Sequence, residues 1–207
     1  LACLGNLKTI IDVGVGHQGS EFLYSRFKTA IYFSIDPLVE AINYAEERLK
    51  KFDKNCKFFI CAVGEDNGKA EINVSKTLSR SSLYTRTHHD KFSASLERRS
   101  VNIRRLDELL DGSKLISPSL LKIDIEGNEL SCLKGAEKTL KVIDYIILEL
   151  PLTVNFEDSY LLSDAISFLA SFQFEAFQVL KAGNNNLEIL FCKTVNPKRM
   201  DLAYGTN

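Results

Sequence analysis

Acidic residues recur where an apolar run gives way to glycine or to a helix, and those are the positions that could do chemistry. Asp12 lies in the run TIIDV, and Gly14, Gly16 and Gly19 follow it with G-x-G-x-x-G spacing. Asp36 closes the next apolar run, AIYFSID. Glycines so placed let backbone approach a ligand, and an acid at the end of the second strand can bond ribose hydroxyls. Farther along, Asp124 and Glu126 sit two apart in LLKIDIEG. If the strand continues through them, both face one side, and one could take a proton while the other orients a ligand. The histidine pair at 88–89 makes His89 a second candidate base, because histidine changes charge near neutrality. Each has a plainer alternative: a solvated acid, a carboxylate receiving N–H groups at the helix after Glu126, or a surface histidine.

The elements that must hold these residues can be read in order. Residues 9–15 form an apolar strand running into the glycines, and Ser20 can cap a helix over 21–27. Residues 30–36 form a second strand, Pro37 is suited to begin a helix, and Ala41, Tyr44, Ala45 and Leu49 give that helix its apolar face. A third strand over 58–63 is closed by Gly64. Short strands are expected at 71–75 and 100–104, around a polar stretch with little periodicity. A helical turn at 106–110 leads to a buried strand at 120–125. Asn128 is placed to cap the next helix, with Leu130, Leu133 and Ala136 at helical spacing. A fifth strand, VIDYIILEL, covers 142–150 and ends near Glu149. An amphipathic helix over 160–172 and a hairpin formed by 174–180 and 187–194 complete the chain. Strand and helix alternate five times before the hairpin. This order predicts an α/β fold with a doubly wound, seven-stranded, mostly parallel sheet whose last strand is antiparallel.

Composition narrows the class. A chain of 207 residues with 45% apolar and 26% charged content suits one globular α/β domain. A net charge of −1 predicts no general affinity for nucleic acid or anionic membrane. No apolar run approaches the roughly 20 residues that span a bilayer. The five cysteines lack C-x-x-C spacing, so reduced thiols in a cytoplasmic core are expected rather than disulfides or zinc ligands. From Lys76 to Arg105, eight Lys/Arg face Asp90 and Glu97, a local charge of +6. Such a basic insert at about 76–105 is either solvated surface or a loop that selects an anionic acceptor. Asp124, Glu126 and Glu149 could hold a divalent cation, but their spacing does not call for a metal.

Asp12 separates the nucleotide-like ligands. In a dinucleotide fold the pyrophosphate sits on the helix N-terminus, and a carboxylate in that turn would repel it. S-adenosylmethionine (SAM) presents an ammonium and a sulfonium instead, so the electrostatics favour it over NAD(P). D-x-G-x-G at 12–16, the acid of FSIDP and the strand end CAVG resemble the cofactor motifs of Rossmann-like SAM-dependent methyltransferases. LLKIDIEGNELSCLKGA closely resembles the hallmark of the FkbM family among them, and Ser81-Ser82-Leu83 and the strand ending at Glu149 look similar to it too. The first loop departs from the family's usual D-x-G-A-x-x-G, with Val15 for the alanine and Gly19 one residue late. The resemblance implies a SAM-dependent O-methyltransferase acting on a sugar or polyketide hydroxyl. Asp36 would hold the ribose, Ala62 and Val63 would lie near the adenine, and Pro37 and Leu38 would cover its other face. The alternatives are an NAD(P)-dependent oxidoreductase, suggested by the glycine spacing, and a methyltransferase-like domain that binds without turnover.

Overall fold

The structure is a computed structural model that describes residues 4–16, 20–51, 56–87, 95–110 and 115–194. Apolar strands dominate it. Strand β1 (Thr9–Val13) and strand β7 (Ser119–Ile123) are buried at every position, as expected of central strands covered on both faces. Each pairs in parallel with the other, β1 also with β2 (Ile31–Asp36), and β7 with β8 (Tyr145–Pro151). Strand β3 (Cys56–Ile60) extends one edge. Strand β10 (Asn186–Lys193) runs antiparallel between β8 and β9 (Phe174–Ala182). The order is therefore β3-β2-β1-β7-β8-β10-β9, a seven-stranded, mostly parallel sheet.

Side-chain alternation divides the core between the two faces. Ile11, Val13, Leu121, Ile123, Ile146 and Leu148 face one layer. That layer holds α4 (Glu129–Lys134), α5 (Glu137–Val142) and α6 (Leu162–Ser171). Ile10, Leu120, Ile147 and Leu190 face the other, where Leu23, Tyr24 and Phe27 come from α1 (Glu21–Arg26) and its C-terminal end. Helix α2 (Val39–Lys50) covers β2 and β3 through Ile42, Ala45 and Leu49.

Four local expectations change. The third strand does not run through 58–63: the chain leaves the main sheet after Ile60, and β4 (Ala62–Val63) pairs with β6 (Ser95–Arg104) in a second sheet of order β4-β6-β5. Strands β5 (Gly68–Ser75) and β6 are longer than 71–75 and 100–104, so Arg98 and Arg99 lie on a strand paired with Asn73 and Ile72. The hallmark helix ends at Lys134, α5 takes Val142, which was expected to open the fifth strand, and β8 begins only at Tyr145. Asn128 occupies the N-cap position of α4, but its side chain does not cap. It donates to the Val63 carbonyl (2.8 Å) and accepts from the Tyr84 hydroxyl (3.1 Å), fastening the second sheet to α4. Gly135 allows that approach: a Cβ there would lie 2.0 Å from the Gly64 carbonyl oxygen. The second sheet packs Ile72 and Val74 against Leu38 and Ala41 of the α2 start, leaving a cleft between itself and the sheet edge. Cys61, Cys132 and Cys192 are buried thiols and Cys56 is a half-buried one, all four outside disulfides.

Candidate active site

The cleft opens at the carboxyl ends of β1, β2 and β7, and it gathers most of the residues singled out from sequence. Gly14, Gly16, Asp36, Pro37, Ala62, Val63, Asp124 and Glu126 all line it. Gly19 and His89 lie outside the described residues.

The first loop owes its shape to glycine. Gly14 has φ +79°, and a Cβ on it would sit 1.9 Å from the Asp124 carbonyl oxygen. Its N–H donates to the Ile35 carbonyl (2.9 Å), and the Asp124 N–H donates to Val13 (3.1 Å), so the end of β1 is clamped between β2 and β7. Gly16, at φ +55°, lies against Ser79. Asp36 turns its carboxylate into this loop, accepting the Leu38 N–H (2.9 Å) and the Gly16 N–H (3.3 Å). Burial pushes its carboxyl up to about 6, against the pull of these two donors.

Asp12 does not line the cleft. Its carboxylate is fully buried beneath the loop and accepts the hydroxyls of Ser20 and Tyr24, both at 2.7 Å, with Lys122 Nζ at 3.9 Å. Ser20 therefore stands at the N-cap of α1 but spends its hydroxyl on Asp12. The expectation that Asp12 faces the ligand is corrected: it anchors the loop and places negative charge at the start of α1.

Asp124 and Glu126 reach the cleft by a different route from strand alternation. β7 ends at Ile123, and Glu126 adopts φ +56°, a left-handed conformation unusual for a residue with a side chain. Glu126 accepts Arg86 Nη2 at 2.7 Å, and its carbonyl accepts the Ser82 hydroxyl at 2.6 Å. Burial raises the Glu126 carboxyl, and Arg86 works against that rise. Asp124 accepts Lys122 Nζ at 3.1 Å. Lys122 is 1% exposed in the middle of β7. Burial would lower its affinity for a proton, but Asp124 and Asp12 outweigh that and hold it above its ordinary range.

Several contributors were not singled out from sequence. Glu129 is buried, accepts the N–H groups of Gly127 (3.0 Å) and Ile125 (3.2 Å) and the Tyr160 hydroxyl (2.8 Å), and is pushed up to about 7 by burial. It performs the N–H acceptance considered for Glu126. Residues 78–87 cross the cleft as a strap. Leu78, Ser79, Ser81, Ser82 and Leu83 line the cleft, Arg86 bridges to Phe156 with its guanidinium 4.7 Å from the ring centroid, and the Thr87 N–H donates to Asn155. Five of the six described arginines of the basic insert are engaged by acids or a carbonyl: Arg86 by Glu126, Arg98 by Glu71, Arg99 by Glu40 and Glu97, Arg104 by Glu108, and Arg105 by the Glu65 carbonyl; the charge of the sixth, Arg80, acts on the Glu126 carboxyl. Lys122 alone carried a readable signal, since a charge in a fully buried strand demands a counter-charge.

A central-strand glycine turn, an acid closing the second strand and carboxylates just beyond the strand beside the first define a Rossmann-like nucleotide-binding cleft. The chain belongs to the methyltransferase FkbM domain family, which matches residues 12–176. Over 60 residues it is 37% identical to hexuronic acid methyltransferase AglP of Haloferax volcanii, a match covering 28% of this chain and 25% of that protein. The fold is similar to the crystal structure of methyltransferase FkbM from Methylobacillus flagellatus KT, with a TM-score of 0.58 at 18% identity over 90% of this chain and 43% of that one. The chain thus spans less than half the length of either relative. Among the described residues, no helix is long and apolar enough to cross a membrane.

Proposed function

We propose that the chain transfers a methyl group from SAM to a hydroxyl oxygen of a sugar or another small-molecule acceptor. The observation that carries this reading is the placement of Asp36 at the wall of the cleft, its carboxylate fixed by two backbone N–H groups and still able to accept from a diol. Leu38, Ala62, Val63 and Ile72 form an apolar slot beside it, suited to a flat ring. Asp12 at the start of α1 supports SAM over a dinucleotide, because the positive helix end that would attract a pyrophosphate already faces a carboxylate.

When bound, SAM supplies a methyl carbon on a positively charged sulfur. The chain then has three tasks. Asp36 and the slot hold the donor's nucleoside part, and the strap shields the cleft from water. Asp124 and Glu126 offer negative charge at the cleft floor, where the acceptor must be held in line and relieved of its proton. The name of AglP supports a sugar-derived acceptor. The pairing of Arg86, Arg98, Arg99, Arg104 and Arg105 gives no separate support to an anionic one.

Calorimetric titration tests the reading: micromolar SAM affinity with no NAD binding is expected, and the reverse would end it. Asp36→Ala removes charge-assisted hydrogen bonds and should weaken SAM about tenfold or more. Unchanged affinity would take Asp36 out of the ribose role.

A further inference from the structure

A second hollow adjoins the cleft. It encloses about 300 Å³ of empty space, and its lining includes Glu126, Glu129, Glu149, Asn155, Phe156 and Asn186. Glu126 borders both spaces. The strap over the cleft is also joined to the loop after β8 that lines the hollow. The Glu157 N–H donates to the Thr85 carbonyl (2.9 Å), and the Thr87 N–H donates to the Asn155 carbonyl (3.0 Å). Strand order puts the two spaces in line. Along β2-β1-β7-β8 come Asp36, the glycine turn, Asp124 with Glu126, and then Glu149. A donor whose nucleoside part lies at Asp36 extends its reactive end toward β7, and the hollow begins where β7 gives way to β8.

We propose that this hollow is the acceptor site, and that it takes a single uncharged sugar ring rather than a uronate or a sugar phosphate. The proposal rests on the methyl-transfer reading above and narrows its acceptor class. The volume lies at the lower end of small-molecule sites, which suits one ring. The polar lining suits hydroxyls. Glu149 accepts the Asn186 side-chain amide, and both groups retain hydrogen-bonding capacity beyond that one bond. Asn155 accepts the Thr153 hydroxyl (3.0 Å) and reaches the Asn185 carbonyl only at 3.5 Å, so its amide can still donate to a ligand. Phe156 supplies apolar surface. Its ring is set close by Gly127, where a Cβ would come 2.8 Å from it.

Charge decides the class. Among the described residues, no lysine, arginine or histidine lines the hollow. An anion leaving water needs a counter-charge, and the Arg86 guanidinium over the Phe156 ring is already held by Glu126 at 2.7 Å. Burial and the charges of Asp124, Glu126 and Glu129 push the Glu149 carboxyl up to about 8, so the hollow already resists negative charge. An uncharged ring needs only the hydrogen bonds. The acceptor so defined differs from the acidic sugar in the name of AglP.

Methyl glucopyranoside and methyl glucopyranosiduronate differ by one carboxylate and test this directly. With nitrogen-15 in asparagine, the side-chain amide NMR signals of Asn155 and Asn186 should shift with the glucoside and stay in place with the uronate. Methyl galactopyranoside and methyl mannopyranoside extend the neutral set. No shift with any of the three, or a uronate bound as tightly as the glucoside, overturns the proposal. Glu149→Gln keeps an acceptor for the Asn186 amide while removing a carboxyl, and Asn155→Lys supplies a cation. The two should raise uronate affinity relative to glucoside by about threefold and about tenfold, respectively. A preference unmoved in both variants overturns the charge argument. SAM titration reports on the donor cleft separately. A chain that binds no SAM ends the methyl-transfer reading, while the amide signals still decide whether the hollow takes a sugar ring. In a chain that binds SAM, kcat/KM for the glucoside should exceed that for the uronate by about tenfold or more, and equal values overturn the assignment.

Discussion

At the β1–β2 end of the sheet edge, buried carboxylates meet mainly neutral donors; at the β7–β8 end they meet charged groups and one another. Asp36 is held by two backbone N–H groups, and Asp12 by two hydroxyls with the Lys122 ammonium 3.9 Å away. Asp124, Glu126, Glu129 and Glu149 are instead balanced by Lys122 and Arg86 or crowded against each other. Neutral donors fix a carboxylate's direction, which suits holding a ligand. Burial pushes Glu129 up to about 7 and Glu149 up to about 8, higher than Asp36 at about 6, which suits moving a proton near neutrality. The same sheet edge therefore provides a rigid half and a responsive half.

The two halves meet at Gly14, and the largest expected effect lies there. Gly14→Ala would force a methyl group 1.9 Å from the Asp124 carbonyl oxygen at φ +79°, against backbone that cannot rotate aside. Strain and overpacking together should cost about 3 kcal/mol or more and abolish SAM binding. Gly68→Ala is the matched control, because a Cβ there meets nothing within 4 Å. Thermal melts and SAM titration of both variants check this; equal behaviour would break the idea that the halves are joined by close backbone contact.

How much of this could be read beforehand depended on whether a residue's role is local. Asp36 was legible because an acid closing an apolar run before proline can point only toward the strand end. Gly14 was legible because glycine follows a buried strand directly. The split of the third strand was not: the apolar run from Phe58 to Val63 looks continuous, and nothing local says that Ala62 and Val63 leave for a second sheet. Strand β6 was hidden because Glu97, Arg98 and Arg99 break its apolar alternation with ion pairs that exist only once Glu71 and Glu40 are brought near. Asp12 was correctly tied to the glycine loop, but its partners Ser20 and Tyr24 come from the next helix and turn it away from the cleft. Glu129 looked like an ordinary helix-start acid, and only tertiary contact with Tyr160 sets it apart; Glu149 was read from sequence only as a possible cation holder with Asp124 and Glu126, and its Asn186 partner comes from β10.

Glu129 sharpens the contrast in protonation. Burial holds its carboxyl at about 7, above its unfolded range, so the folded state binds the proton more tightly than the unfolded chain does. Its contribution to stability is complete below about pH 4.5 and is lost as pH rises through 7. In urea unfolding at pH 5 and pH 8, the wild type should lose roughly 2 kcal/mol more than Glu129→Gln between the two pH values. Asp36→Asn, with a smaller rise and two backbone donors, should show a weaker version of the same effect. If both variants flattened the pH dependence equally, the rigid and responsive halves would not be distinct.

The smallest effects come from the arginines, and here the comparison moves within the basic insert. Arg86 is half-buried, pairs with Glu126 at 2.7 Å and lies over Phe156, so its removal leaves a sheltered carboxylate without its hydrogen-bonded cation and frees the strap from the loop after β8. Arg98 is mostly exposed and reaches Glu71 only at 3.7 Å, a pairing that water screens on both sides. Arg86→Ala should cost about 1–2 kcal/mol of stability and raise the SAM dissociation rate several-fold, because the strap that lines the cleft loses its pin. Arg98→Ala should change stability by no more than about 0.5 kcal/mol and leave the dissociation rate unchanged. Stopped-flow displacement of SAM from the two variants separates them. Equal rates would mean that the strap does not depend on Glu126, and that Glu126 is free for another task at the cleft floor.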